Sequence, residues 1–367
     1  MKHILMATAA SFAVFATGAA AGGIERSTQS AMVLFEKGNY AELSFSHVTP
    51  SVSGSGTAVS PTPGQASGNM AKSYSQIGFA YKHQINDRLS AAIIYDTPFG
   101  ANVLYPTSTY FNTGAQAEIN SSSFTGLLKY TTPSNISVYG GLRYQSMDAT
   151  AMVPIVAGYT VTTTKDFSTG YVLGAAYEKP EIALRVALTY NSSIDHTVTT
   201  SESVGGGAAV DRSLDFKTPE SFNLEFQSGV NKNTLVFGSI RYVKWKQFDL
   251  RPLTYLGATG DSIVSYSNNV VTYNLGVGRK INDNWSAALT LGYEKSNGGF
   301  SANLGPTDGN FSVGLGGSYT KGNMKITAGI KYVDIGNAQT TLGGGVAASN
   351  FTNNHALGVG VKIGYTF

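Results

Sequence analysis

The sequence contains no cysteine, and this absence excludes disulfide scaffolds and thiolate metal sites. Only 13% of its 367 residues are charged, a low share for a soluble enzyme of this length. The formal net charge is +3, with no basic run or stripe of the kind that nucleic-acid binding requires. We therefore exclude nucleic acid as a partner. A chain without cysteine also suits export through an oxidising compartment.

Motifs that carry chemistry are equally scarce. The five histidines are scattered over the amino terminus, strand ends and loops, without metal-ligand spacing: His3, His47, His83, His196 and His355. No Gly-x-Ser-x-Gly elbow is present, and the glycine stretches 205–207 and 343–345 lack the strand-to-helix context of a phosphate-binding loop. We expect no enzyme, no cofactor and no metal, with a hydrolase built on strand ends left open as an alternative.

Long apolar runs are missing after the first residues. The amino terminus carries Lys2, an apolar and small-residue run from Ile4 to Ala16, and three alanines before Gly22, which predicts a signal peptide over residues 1–21. The alternative, a short membrane anchor, falls below the ~18 apolar residues that a spanning helix needs. No later run reaches that length, so the exported chain is either soluble or a β-barrel whose strands hide their apolar residues in alternation.

Apolar residues recur at every second position through much of the sequence. In the closing segment HALGVGVKIGYTF the odd positions 357–365 are apolar, whereas the even ones are small, polar or charged. The same alternation occupies residues 89–95, 136–144, 182–190, 285–293 and 324–332. These strands exceed the ~5 to 6 residues usual in soluble sandwiches, and such a period indicates a different solvent on each face.

Tight turns recur every ~40 to 50 residues and alternate with long polar loops. The turns lie at 85–88, 132–135, 178–181, 230–233, 281–284 and 320–323. The loops lie near 50–72, 98–115, 149–165, 195–210, 249–261, 297–308 and 337–352. With a first strand near 39–49 and a last near 354–367, the count is 14. We therefore predict an all-β fold, a transmembrane antiparallel up-and-down β-barrel of 14 strands over residues 39–367, because closure leaves no unpaired edge in lipid.

Aromatic residues near the strand ends support this prediction. They form two predicted girdles: Tyr81, Tyr130, Tyr177 and Tyr319 beside the tight turns, and Tyr95, Tyr144, Tyr190, Tyr293 and Tyr332 at the far ends. Trp285 and Tyr293 stand roughly 20 Å apart in height, near the ~25 Å apolar band of such barrels. The terminal Phe367 resembles the signal that outer-membrane assembly machinery reads. We therefore expect a Gram-negative outer-membrane location, among lipid and lipopolysaccharide.

The stretch IIYDTPFGANVLYP, residues 93–106, breaks the third strand and then places apolar residues in a loop. Pro98 removes a ladder donor and Gly100 relaxes the backbone, so pairing should end or bulge there. Below the break, Ile93 and Tyr95 should face lipid, whereas Ile94 and Asp96 should face the lumen.

Apolar residues in this second loop and in the third are candidate substrate contacts. The candidates are Phe99, Val103, Leu104, Tyr105, Tyr110, Phe111, Met152 and Ile155. Exposed apolar area costs about 25 cal/mol per Å², so these side chains should bury against one another, lipopolysaccharide or a hydrophobic ligand. The inward face of the wall leans basic, and Arg143, Arg185 and Lys331 are candidates to meet a carboxylate.

Two segments carry a resemblance to a known family. YDTPFGAN, residues 95–102, resembles the FadL/TodX transporters of long-chain fatty acids and aromatic hydrocarbons, in which a strand runs into Pro-Phe-Gly before a long loop. The hairpin from Asp215 to Phe248, with Thr218-Pro219-Glu220 at its start and Trp245 near its end, is similar to a hairpin of that family. The resemblance implies a monomeric barrel plugged from the periplasmic side by its N-terminal segment.

The N-terminal segment departs from the family pattern. Those relatives spend several tens of residues on a helical hatch with an Asn-Pro-Ala, whereas residues 22–38 number only 17 and lack it. The apolar stretch 31–35 of this sequence still predicts a short periplasmic plug over residues 22–38. We expect passive uptake of hydrophobic compounds, long-chain fatty acids foremost, with a lateral exit at the broken strand. The alternatives are a general porin for small polar solutes and a non-transporting barrel for adhesion or envelope structure.

Overall fold

The computed structural model describes residues 23–367, so the predicted signal peptide at 1–21 lies outside the described residues, as does Gly22. Most of the regular structure is strand: β1 (Tyr40–Ser51), β2 (Gly54–Gly56), β3 (Tyr74–Gln84), β4 (Leu89–Asp96), β5 (Gly100–Leu104), β6 (Gln116–Thr131), β7 (Ile136–Val153), β8 (Tyr159–Thr163), β9 (Asp166–Lys179), β10 (Leu184–Asn191), β11 (Ile194–Ser203), β12 (Val210–Thr218), β13 (Ser221–Asn231), β14 (Thr234–Val243), β15 (Asp249–Leu250), β16 (Val264–Ser265), β17 (Val270–Lys280), β18 (Trp285–Glu294), β19 (Phe300–Ser301), β20 (Asn310–Lys321), β21 (Met324–Ile335), β22 (Ala338–Thr341), β23 (Ala347–Phe351) and β24 (Asn354–Thr366).

Helical structure in residues 23–367 is short. It comprises one α-helix, α1 (Leu253–Thr259), and the 3-10 helices Met32–Phe35, Pro180–Ile182 and Trp245–Gln247. Across this part of the chain, no helix has the length and apolar character to span a membrane.

Fourteen strands close into an antiparallel barrel, which confirms the predicted fold class. In order around the wall they are β1, β3, β4, β6, β7, β9, β10, β13, β14, β17, β18, β20, β21 and β24. The last strand closes on the first, from Tyr40 opposite Thr366 to Ser51 opposite His355. Above the wall, β2, β19, β22 and β23 form a small separate sheet among the outer loops.

The alternation places apolar side chains outside the barrel. On β24, Leu357, Val359, Ile363 and Tyr365 are exposed, whereas Lys362 between them is buried inside. The turns follow local chemistry: β20 and β21 are joined by two residues, and Gly322 takes a φ of +59° there, which glycine adopts without strain. The local pattern is therefore sufficient to set which face meets lipid.

Both predicted girdles form in the barrel. On the outer side Tyr95 pairs with Phe124, which pairs in turn with Tyr144. On the periplasmic side the rings of Trp285 and Tyr319 lie 4.9 Å apart between centroids. Phe367 is exposed beside this periplasmic girdle, and its recognition by assembly machinery stays a prediction.

All seven regions predicted as polar loops contain strand or helix residues. The region near 195–210 was expected to be a polar loop, but β11 and β12 form a long hairpin there because Val198 and Leu214 are buried against the outer core. The region near 249–261 contains α1. The backbone nitrogens of Thr254 and Tyr255 in α1 donate to Glu202 of β11, so the helix lies against this hairpin.

Candidate functional site

The third strand of the wall is interrupted between β4 and β5. Strand β3 pairs with β4 only below Phe79 and Tyr95, so its residues 74–78 lack a continuous strand partner on that side. Across this interruption the Nε2 of Gln76 donates to the carbonyl oxygen of Arg26 at 3.0 Å. We call the space between residues 74–78 and 97–100 the wall gap. The break predicted at Pro98 is therefore present in the barrel.

A cavity of about 190 Å³ lies at the wall gap. Its lining includes Phe45, Ile77 and Phe79, whose side chains are exposed on the outside of the barrel, and also Asp96 and Ser27 from the inside. Ser27 donates to the carboxylate of Asp96. Residues of both faces thus meet in one cavity, which makes the gap a thin point of the wall.

A larger cavity of about 470 Å³, here called the outer cavity, lies above the N-terminal segment. Ile24, Glu25 and Arg26 form part of its lining, together with the wall residues Val48 and Ile119. The outer loops at 264–268 and 297–308 complete the lining. This volume falls within the ~300 to 1,000 Å³ typical of small-molecule sites.

An apolar side pocket of about 40 Å³ adjoins the outer cavity. The two spaces share Ala117, Ile119, Val264 and Leu304, and the side pocket continues between Leu214 and other apolar side chains. A ligand that reaches this pocket would meet almost only carbon there, so the pocket suits a hydrocarbon group.

The N-terminal residues 23–38, here called the plug, run inside the barrel. Glu25 forms a salt bridge with Arg241, whose Nε lies 2.9 Å from Glu25 Oε1. Asn223 donates to the carbonyl oxygen of Thr28 at 2.8 Å, and Ser30 donates to Glu225 at 2.7 Å. These bonds fix the short segment along the inner wall.

The lower part of the plug is held by cations. The Phe35 ring lies 4.4 Å from Lys129 Nζ and 5.0 Å from Arg185 Cζ. Lys82 Nζ donates to the carbonyl oxygens of Glu36 at 2.7 Å and Gly38 at 3.1 Å. A cation over an aromatic face or on carbonyl oxygens is favourable, so the basic lumen stabilises the plug.

One of the predicted substrate contacts lines the outer cavity, whereas others contact residues of the outer loops. Val103 lines the outer cavity. Tyr105 is buried and donates to Asn303 O at 2.6 Å, and the Tyr110 hydroxyl lies 2.6 Å from Ser349 Oγ. Burial raises the pKa of both phenols, which therefore stay neutral.

The other predicted contacts line neither cavity. Phe99 is buried against Trp245, Leu104 and Met152 are half-buried, and Ile155 is exposed. Phe111 packs on Tyr110, with 4.4 Å between ring centroids. The binding role of all eight residues stays a prediction.

The predicted carboxylate contacts are engaged elsewhere. Arg143 donates to Gln29 of the plug and, from its Nε, to Thr125 Oγ1 at 2.9 Å. Arg185 donates to Gln227 at 2.9 Å in addition to its contact with Phe35. Lys331 lies close enough to Glu294 for the two charges to interact. The structure does not bring these three cations together, and their binding role also stays a prediction.

Arg26 is the residue that sequence reasoning missed. Its side chain lines both the outer cavity and the cavity at the wall gap. Its Cζ lies 3.5 Å from the centroid of the Tyr74 ring. Burial lowers the pKa of the Arg26 guanidinium, and the neighbouring Tyr74 and Glu118 oppose that shift. The available signal was a charged pair, Glu25-Arg26, on a segment predicted to lie inside the barrel.

Comparison with known proteins gives one family and several similar structures. The sequence profile of the family described as "Outer membrane protein transport protein (OMPP1/FadL/TodX)" matches residues 13–367. A search of curated proteins finds no match. At this level of identity, likeness to the solved structures below concerns the fold alone.

The structure of a Pseudomonas aeruginosa FadL homologue is similar with a TM-score of 0.76 and 15% identity, over 96% of this chain and 97% of that one. The Pseudomonas putida toluene transporter TodX has a TM-score of 0.65 and 12% identity, over 95% of this chain and 96% of that chain. The Ralstonia pickettii toluene transporter TbuX has a TM-score of 0.64 and 12% identity, over 90% of each chain.

Proposed function

Because this chain belongs to the OMPP1/FadL/TodX family of outer membrane transport proteins, we propose that it takes up hydrophobic compounds passively, with long-chain fatty acids as the preferred cargo. The family consists of transport channels and not of enzymes, and its barrels lie in the outer membrane.

The outer cavity is the observation that carries the proposal. It lies beneath the outer loops, has the size of a small-molecule site and continues into an apolar side pocket. Burial of a hydrocarbon chain there would be favourable by roughly 25 cal/mol per Å² of apolar area. Val103, placed beside the strand break, would be one of the contacts.

The wall gap supports a lateral exit from the barrel. The plug occupies the lumen below the outer cavity through bonds to several wall strands, which argues against an axial water-filled path. The cavity at the gap is lined by residues from both faces of the wall. A hydrophobic compound would thus pass into the membrane without crossing the basic lower lumen.

Uptake of radiolabelled oleate by a deletion strain, with and without the full chain restored, tests the proposed function. We expect restored uptake with the full chain and no large steady conductance from purified protein in planar bilayers. A large conductance without fatty-acid uptake would instead support the porin alternative, and neither activity would support a barrel for adhesion or envelope structure.

Monoaromatic hydrocarbons are a second candidate cargo, because two similar structures are named as toluene transporters and the side pocket is small and apolar. Competition decides between the two cargoes. Excess toluene should reduce oleate uptake only weakly if fatty acids are preferred, and an uptake that responds to toluene alone would assign the aromatic cargo.

A further inference from the structure

Residues 249–265, here called the flap, form a thin wall between the apolar side pocket and solvent. The flap consists of β15, α1 and β16, and its two short strands pair with each other. Its inner face lines the side pocket with Leu250, Pro252, Ile263 and Val264. On its outer face Leu253 is 52% exposed. One layer of chain therefore separates the pocket from the outside.

The two stems of the flap are firmly packed, but its helix is not. Leu250 and Ile263 are buried, whereas α1 contains no buried residue. A helix of seven residues is too short to be stable by itself in water. The position of α1 therefore depends on its contacts with the rest of the chain.

One carboxylate joins the start of α1 to the outer hairpin. Glu202 Oε2 accepts from the backbone nitrogens of Thr254 at 2.9 Å and Tyr255 at 3.3 Å. The same oxygen accepts from the Tyr159 hydroxyl at 3.0 Å, and the rings of Tyr159 and Tyr255 lie 5.0 Å apart between centroids. Glu202 is 1% exposed, and hydrogen bonds to a charged acceptor are strong. The carboxylate thus fastens α1 to β11.

The donors around Glu202 are neutral groups. Besides the two backbone nitrogens and the Tyr159 hydroxyl, Thr200 Oγ1 donates to Glu202 Oε1 at 3.0 Å. Removing the charge of Glu202 therefore weakens these bonds and leaves no cation of this group unpaired. The attachment of α1 can be loosened by a substitution that preserves the shape of the side chain.

We propose that the flap is the entry gate for apolar cargo and that Glu202 is its latch, a positioning residue that holds the gate shut. The inference rests on the proposed uptake of hydrophobic compounds and adds the point of entry. When α1 leaves Glu202, cargo reaches the side pocket from outside. The pocket continues into the outer cavity past Ile119 and Leu304, so the cargo proceeds inward from there. The motion of a lid of this kind sets the rate of ligand entry.

A latch has a specific kinetic consequence. If cargo enters and leaves only while the gate is open, a weaker latch raises the association and dissociation rates by the same factor. The ratio of the two rates, which is the dissociation constant, then stays the same. A residue that only shapes the pocket would change the dissociation constant instead.

The test measures both rates by stopped-flow fluorescence with cis-parinaric acid methyl ester, a neutral apolar probe, on full-length mature protein in a non-ionic detergent. Glu202→Gln keeps the shape of the side chain and removes its charge, and Tyr159→Phe removes one donor to the same oxygen. Asp211→Asn is the matched control, since this exposed carboxylate lies on the same outer hairpin.

We expect Glu202→Gln to raise both rates ~10-fold and to change the dissociation constant less than about 2-fold. Tyr159→Phe should raise both rates ~3-fold, and Asp211→Asn should change neither rate. In a variant with residues 253–259 replaced by a glycine-serine linker, Glu202→Gln should have no further effect, because the latch then has no helix to hold.

Unchanged rates in Glu202→Gln would overturn the latch, as would weaker binding with an unchanged association rate. Wild-type protein that does not bind the probe contradicts the proposed function itself, whereas binding with rates insensitive to Glu202 contradicts only the gate. Gel mobility of unheated samples separates folded from unfolded barrel, so a variant that does not fold is recognised before its rates are measured.

Discussion

The lower lumen and the outer cavity both contain buried cations, but these cations have different partners. In the lower lumen, Lys82 and Lys129 contact the plug itself, through carbonyl oxygens and the Phe35 ring. In the outer cavity, Arg26 is part of the plug, lies over the Tyr74 ring and interacts with the charge of Glu118. Similar residues therefore hold a segment of the chain in one region and line cavities in the other.

Removal of the plug should have the largest effect on the difference between the lower lumen and the outer cavity. Deleting residues 24–35 takes away the salt bridge of Glu25 with Arg241 and the Phe35 contacts, and leaves a basic lumen open to water. We expect a steady conductance in planar bilayers where the intact chain gives none. A deleted protein that folds by unheated gel mobility but does not conduct would contradict a plugged lumen.

A charge on the apolar side of the outer cavity should have the next largest effect. Val103→Asp places a carboxylate on the cavity lining, and a neutral ligand that packs there would have to desolvate this charge. We expect ~100-fold weaker binding of cis-parinaric acid methyl ester by fluorescence titration. Leu342→Asp is the control, since this exposed side chain of an outer loop does not line the cavity, and equal losses from both would remove Val103 from the site.

The lower lumen can be tested at Phe35. Phe35→Ala removes two cation contacts and an edge contact with Tyr139, interactions that contribute roughly 0.5 to 2 kcal/mol each in buried sites. The chain has no cysteine, so Ala31→Cys provides a single buried thiol as a reporter. We expect ~10-fold faster maleimide labelling of this thiol in the Phe35→Ala background, because the loosened plug opens more often. Phe351→Ala, in the small outer sheet, is the control and should leave that rate unchanged.

The smallest expected effect lies in the outer hairpin, above both regions. His196 is buried, its Nδ1 lies 2.7 Å from Asp166 Oδ2, and Gln145 lies on its other nitrogen. Burial lowers the pKa of His196 below its usual 6.5, so the folded state favours neutral imidazole. Its contribution to stability is complete above pH 6.5 and is lost as the pH falls through the lowered pKa.

Hydrogen exchange of the β11 amides measures this effect. Exchange, after correction for its intrinsic pH dependence, should be faster at about pH 5 than at about pH 7, and His196→Gln should reduce the difference. An equal difference in the variant would assign the pH dependence to other groups.

Local patterns were enough to predict the barrel wall. The period of two around Leu357 and the tight turn at Gly322 involve neighbours in sequence, so the strand count and the lipid-facing side were correct. The break at Pro98 was also predictable, since proline cannot donate to a ladder. The outer hairpin was not predictable in this way, because Val198 and Leu214 are buried in the outer core by residues that are distant in the sequence.

The sequence by itself determined a closed 14-stranded barrel, its two girdles and the place where one strand is interrupted, because each follows from residues close together in the chain. Only the tertiary structure decided which cations bind partners within the protein and which cation lines a cavity. Arg143 and Arg185 were reasonable candidates until the plug and the wall supplied Gln29 and Gln227 as partners from distant positions. Partners of a charged side chain depend on contacts across the lumen, which one-dimensional spacing does not encode.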